Sequence, residues 1–262
     1  MTAESWIRLA LVPAAVWLAS LAARRWGHGI SGYLGGMPLI GGPITLFLAL
    51  DHGADFAARS ALFTLAAVAG QGAHLLALAH VGGRYRLAQR HAWIAALLSG
   101  WGCFAVVAGM VTLLPLDLPL ATALAVAALA AAWWWLPRVQ GEMARPSIPP
   151  LELRLRLVAA FVLAAFILWS APRFGPIWSG VLLSLPITGS IMPPFTLALY
   201  GSGALTRLVR GFAVGLWGFS AFFLVVAATV RDWGITAAFT AAVGAALAAL
   251  FAANRLALRS RL

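Results

Sequence analysis

Charged residues are spread so thinly along this 262-residue chain that long apolar runs separate them. Nine runs can be marked, at roughly 5–23, 29–50, 60–82, 92–114, 118–136, 155–171, 175–199, 207–229 and 233–254. Most approach the ~20 residues that a helix needs to cross the hydrocarbon of a bilayer. Hydrophobic residues make up 63% of the chain and charged residues 10%, against about half and a quarter in a soluble domain. That composition excludes a soluble enzyme with a polar shell. It leaves no length for a globular domain outside the membrane. The expectation is an all-α, polytopic membrane protein of about nine transmembrane helices.

The net charge of +11 does not point to nucleic acid, because the arginines stand singly or in pairs between apolar runs. They read as topology signals. All 18 basic residues are arginine, which reads mainly as genome composition. With the N-terminus outside and every run crossing, 14 arginines face the cytoplasm and four, Arg8, Arg59, Arg173 and Arg231, face out. The first run is expected to be a retained helix and not a signal peptide. Glu4 offsets Arg8 before it, and Arg24 and Arg25 follow it. Trp133, Trp134 and Trp135 would sit at the inner end of the fifth helix as an interfacial belt. The single cysteine, Cys103, is expected to be a buried, inert thiol.

Shifting the chain by 148 residues aligns 25–81 with 173–229. Without gaps, 14 of 57 positions are identical. Leu and Ala matches mean little in such sequence. The register also matches Gly27/Gly175, Gly32/Gly180, Pro38/Pro186, Gly41/Gly189, Gly53/Gly201, Arg59/Arg207 and Gly70/Gly218. The expected organisation is a first repeat over 1–114, a linking helix and cytoplasmic loop over 115–152, and a second repeat over 153–262. Four helices, one extra crossing and four more put the second copy in the opposite sense. The C-terminus would be cytoplasmic. Inverted repeats of this kind are a common build for secondary transporters.

Each repeat has one run interrupted by proline and glycine. The second run carries Pro38, Gly41, Gly42 and Pro43, and the seventh carries Pro186, Gly189 and Pro193. Proline removes a backbone donor and clashes with the preceding turn. Broken helices at matched positions in two inverted halves point to a transporter's binding site, where half-helix N-termini favour an anion. Thr45, Thr188, Ser190 and Ser220 offer hydroxyls near the breaks. Gln71 and His74 lie three apart on the third helix, where polar side chains are expensive and worth explaining. Their counterparts in the second half are Phe219 and Phe222. Asp51, His52 and Asp55 read as a solvated outer loop, with Asp51 a gate candidate. Arg59, Arg207 and Arg210 are expected to open helices at the two mouths, where they would attract an anion or snorkel to headgroups. The pairs Gly32/Gly36 and Gly211/Gly215 read as close helix packing.

No Walker loop, HExxH motif, GxSxG elbow or intramembrane carboxylate pair is present, so an enzyme is not expected. No metal site or cofactor is expected either. The stretch Ser179-Gly180-Val181-Leu182-Leu183-Ser184-Leu185-Pro186, then Ala204-Leu205-Thr206-Arg207 and Phe212 to Trp217-Gly218, resembles the small GlpM-like membrane proteins. Those look like a single four-helix unit, and this chain looks like two such units fused in opposite senses. The resemblance is clear over 173–229 and weaker over 25–81, where Ala69 replaces Trp217. It implies at most a loose link to cell-envelope cargo.

The leading expectation is a secondary transporter of the bacterial inner membrane. It would carry a small anionic metabolite or envelope precursor between the broken helices by alternating access. A polyprenyl-phosphate flippase, an ion channel and a non-transporting scaffold for envelope biosynthesis remain open beside it. The expected partners are membrane lipids and a small-molecule or lipid-phosphate substrate. A homodimer is allowed and nucleic acid is excluded.

Overall fold

The computed structural model describes residues 10–18, 28–84, 92–137 and 149–259. Among them the protein is helical, with no strand. After α1 (10–18) come α2 (His28–Gly35), α3 (Gly41–Ala66), α4 (Val68–Gly83), α5 (Ala92–Val111), α6 (Leu118–Trp135), α7 (Pro150–Leu183) and α8 (Ile187–Arg259). Four stretches are long and apolar enough to cross a membrane: Gly41–Gly83, Ala92–Val111, Leu118–Trp135 and Pro150–Ala257. In lipid no water is available to backbone groups, so helices that bond internally are the natural spanning element.

The longer helices are interrupted. Gly53 in α3, Gly175 in α7, and Gly201 and Gly234 in α8 all have non-helical backbone angles with φ between 71° and 85°. That region is costly for any residue with a Cβ, and Gly53 and Gly201 are partners under the 148-residue shift. The break at Gly234 is a reversal. The Phe222 and Phe239 rings come within 5.9 Å of each other, and the Ala246 carbonyl lies against Gly218. No straight helix brings residues so far apart in sequence together.

The two Pro/Gly interruptions are open gaps in the helix. One separates α2 from α3 over 36–40, and the other separates α7 from α8 over 184–186. Turn hydrogen bonds close them, from Gly42 N to the Pro38 carbonyl at 2.7 Å and from Ile187 N to the Leu185 carbonyl at 2.8 Å. Several hydroxyls return to their own helix. Thr45 donates to the Gly41 carbonyl and Ser190 to the Pro186 carbonyl, each at 2.7 Å.

The central layer has two cores. One joins α3, α4 and α8 at Leu65, Leu78, Leu205, Leu208, Phe222 and Phe223 and takes in alanines of α5 and α6. The other joins α1, α3 and α7 at Val16, Leu48, Leu163 and Ile167. Helices α5 and α6 are peripheral, with only 28% and 22% of their most apolar windows buried. Lipid tails are as apolar as leucine, so close backbone approach and dispersion must hold the central layer together. The glycine pairs do this. A Cβ on Gly32 would stand 2.7 Å from the Leu208 carbonyl and 2.9 Å from the Gly211 Cα. A Cβ on Gly36 would stand 2.9 Å from the Gly215 Cα. Across the molecule Gly180 meets Ser60, Phe63 and Thr64 equally closely, and Thr64 Oγ1 donates to the Gly180 carbonyl at 2.9 Å. Exchanging the halves by 148 residues turns the Gly32–Leu208–Gly211 contact into Gly180–Ser60–Phe63.

Several expectations need correction. Asp51, His52 and Asp55 do not form a loop. They lie in helical turns on either side of Gly53, because one glycine suffices for the turn. Arg59, Arg207 and Arg210 do not open helices, since helix resumes directly after Gly53 and Gly201. The third run is itself interrupted at Ala67, between α3 and α4. Helix α7 starts at Pro150, five residues before the expected run, and encloses Glu152 and Arg156. Cys103 is exposed on α5 and not buried. Arg24, Arg25, Gly27 and the loop segment 138–148 lie outside the described residues.

Candidate functional site

Both interruptions face one cavity of about 80 Å³, small beside the roughly 300–1,000 Å³ of drug-sized pockets. The α2–α3 gap contributes Gly35 through Met37 and Leu39 through Gly41, and the α7–α8 gap contributes Leu185 through Gly189. Val16, Leu163, Met192, Phe212, Leu216 and Phe219 supply apolar wall. The polar side chains in the lining are few: Gln71, His74, Arg156 and Thr188.

Gln71 and His74 sit on α4, directly over the second gap. Gln71 Nε2 donates to the Ser184 carbonyl at 2.6 Å, so an amide side chain takes up a carbonyl of the helix break. His74 Nε2 lies 3.3 Å from the Gly189 carbonyl. Its ring is fully buried and meets Trp101 edge-on, with centroids 6.4 Å apart. A Cβ on Gly100 would come within 2.7 Å of His74 Nδ1, so glycine there makes room for the imidazole. At the first gap phenylalanines of α8 take the place of these polar groups, among them Phe222, the counterpart of His74. A Cβ on Gly41 would touch Phe223, and one on Gly42 would touch Phe222.

Of the residues expected at the site, the structure brings together Gly41, Gln71, His74, Pro186, Thr188 and Gly189 around the cavity. Pro38, Gly42, Pro43, Thr45, Ser190 and Pro193 belong to the two gaps or the turns after them, but do not line it. Ser220 is buried on α8 with its Oγ unpartnered among the described residues. The gating candidates lie elsewhere. Asp51 and Arg59 are exposed on α3, and Arg207 is partly buried on α8. Arg210 donates to the Leu136 carbonyl at 2.9 Å, so it caps the C-terminal end of α6, where a cation is favourable.

Sequence reasoning missed Arg156 and Glu152 at the site. They form an i, i+4 ion pair on α7, both residues only about 5–6% exposed. Glu152 fell in the expected loop before the sixth run, and Arg156 near the start of that run, among the arginines expected to face the cytoplasm. The two instead share a helix face with Ala160, Leu163, Ala164, Ile167 and Ala171, all buried. That stripe was the available signal. Its spacing of three and four, extended backwards, runs through 156 and 152. Removing two charges from water costs several kcal/mol per ion, even when they are paired. Such pairs inside membrane proteins usually serve function.

Among the described residues no cluster of His, Cys, Asp or Glu could hold a metal ion. Compared with family models, with curated proteins and with solved structures, the chain matches none.

Proposed function

We propose that the protein is a secondary transporter. Two inverted four-helix repeats, joined by α6, would bind a small anion between the gaps and expose it alternately to each side of a bacterial cytoplasmic membrane. In this reading the chain crosses nine times, with the N-terminus outside and the C-terminus in the cytoplasm, following the arginine distribution. The observation that carries it is that two helix gaps at positions 148 residues apart in register open on the same cavity. The exchange-related contacts of Gly32 and Gly180 support the pseudo-two-fold. Half-helix ends at a shared midplane cavity are how inverted-repeat carriers hold their cargo. The buried Arg156 favours an anion over a cation. The exposure of Arg59, away from the cavity, favours a small soluble cargo over a lipid headgroup.

The test is counterflow in proteoliposomes. Purified protein is reconstituted with one unlabelled organic anion inside and trace labelled anion outside, across a panel of small carboxylates and phosphates. Transient accumulation of one class is expected. Gly189→Leu, which projects a side chain into the cavity, should abolish it without changing the thermal unfolding midpoint much. Accumulation unaffected by Gly189→Leu would overturn the assignment of the cavity. Flux through a permanently open path, with no counterflow, would replace the carrier with a channel.

A further inference from the structure

The Glu152–Arg156 pair has an unused donor. Arg156 donates through one terminal nitrogen to Glu152, while its Nε is buried and has no partner among the described residues. A guanidinium offers five donors in a planar fork, and the edge carrying Nε suits a carboxylate. Leaving that donor unsatisfied in an apolar, water-poor place is costly. Arg156 lines the cavity between the gaps.

The other polar groups limit what can sit there. Gln71 donates to the Ser184 carbonyl, His74 faces the Gly189 carbonyl, and Thr188 adds one neutral hydroxyl to the lining. A phosphate or a dicarboxylate would bring more oxygens and more charge than one already paired arginine can serve. The wall opposite is hydrocarbon and ring: Leu163, Met192, Phe212, Leu216 and Phe219. One unpartnered charged donor in a small, mostly apolar cavity describes a ligand with one carboxylate and a short hydrocarbon body. We infer that the cavity is a binding site for a short-chain monocarboxylate, its carboxylate at the unpartnered Nε of Arg156 and its alkyl chain against the leucine and phenylalanine wall. Glu152 acts as a positioning residue, holding the guanidinium through Nη2. The inference rests on the transporter reading for its role, but binding can be measured without transport.

Butyrate is the probe, with butyramide as its neutral isostere and inorganic phosphate as the competing oxyanion. Binding to the full-length protein in detergent is read by calorimetry and by the thermal unfolding midpoint. Butyrate should bind and raise the midpoint, while butyramide and phosphate should do neither. Arg156→Lys keeps the charge but loses the fork and should weaken butyrate at least tenfold. Because it could also disturb folding, the paired Glu152→Gln/Arg156→Gln variant keeps size and neutrality and should lose butyrate binding while unfolding near the wild-type midpoint. Arg154→Gln, on the exposed side of α7, should bind as wild type does. Wild-type-like butyrate binding by both arginine variants, tighter binding of phosphate, or no butyrate binding would each overturn the site. Binding of butyrate without counterflow would leave the site standing and remove the transporter. Counterflow of another solute with no butyrate binding would do the reverse.

Discussion

The two gaps share a register, a proline and a glycine, yet they are lined differently. At the first, Gly41 and Gly42 lie under Phe223 and Phe222, which pack with Phe219 into a cluster of rings 4.6–5.2 Å apart. At the second, Ser184 and Gly189 lie under Gln71 and His74. The same stretch of α8 and α4, with Phe222 standing where His74 does, therefore covers one break with hydrocarbon and the other with hydrogen-bonding groups. One gap is closed by dispersion, which is tolerant of small movements. The other is closed by directed hydrogen bonds, which hold one geometry and leave carbonyls unsatisfied when broken. An alternating-access carrier built on these halves would hinge at the first and recognise or lock at the second.

The comparison breaks most severely if the frame that holds both gaps is removed. Gly215→Leu drives a side chain into the Tyr33–Gly36 backbone and should cost at least about 3 kcal/mol, beyond ordinary overpacking because backbone cannot yield. Gly180→Leu at the exchanged contact should cost a similar amount. Unequal losses, measured by reversible unfolding in mixed micelles, would show that the two contacts are not equivalent. Next, Gln71→Leu should cost about 1–3 kcal/mol by leaving the Ser184 carbonyl unpaired. The matching Phe219→Leu should cost less, about 1 kcal/mol, as a partial loss of packing. Equal costs would erase the distinction between the gaps. His74→Phe would make the second gap resemble the first. It should abolish counterflow at a stability change of about 1 kcal/mol, the worth of an ordinary net hydrogen bond. Retained transport would remove His74 from the cargo path. The smallest effect belongs to the Arg231–Asp55 pair, 2.7 Å apart and largely exposed. Asp55→Asn should cost less than about 1 kcal/mol, and less at high salt.

Much of the site was legible because helix breaks and buried amides are local signals. Pro186 and Gly189 mark an interruption wherever they fold, and Gln71 with His74 three residues away marks one polar face. Gly32, Gly36, Gly211 and Gly215 were readable as close-packing positions, but the sequence does not say which pair meets which. Glu152 was hidden because hydropathy windows end at charges, so it read as loop, and Arg156, at the start of a run, read as one more arginine at the membrane surface. Only their spacing with Ala160 and Ile167 betrays a buried face. The turns at Gly53 and Gly234 fall at or beside the divisions between runs, and only their form was hidden. Asp51 and Asp55 flank the first and Arg231 and Asp232 precede the second, so the divisions between runs were visible, but not that a single glycine makes each turn with helix on both sides.

Sequence alone determined that this chain is helical and apolar enough for a bilayer, that two stretches 148 residues apart share a pattern, and that each contains a break. Those properties follow from composition and from the backbone chemistry of proline and glycine, which act within a turn or two. Tertiary structure decided that both breaks open on one cavity, that phenylalanine covers one and histidine with glutamine the other, and that an arginine from the start of α7 reaches between them. These depend on which helices touch. Where lipid and core are equally apolar, pairing is set by small residues and a few directed polar contacts, and not by the hydrophobic pattern along the chain.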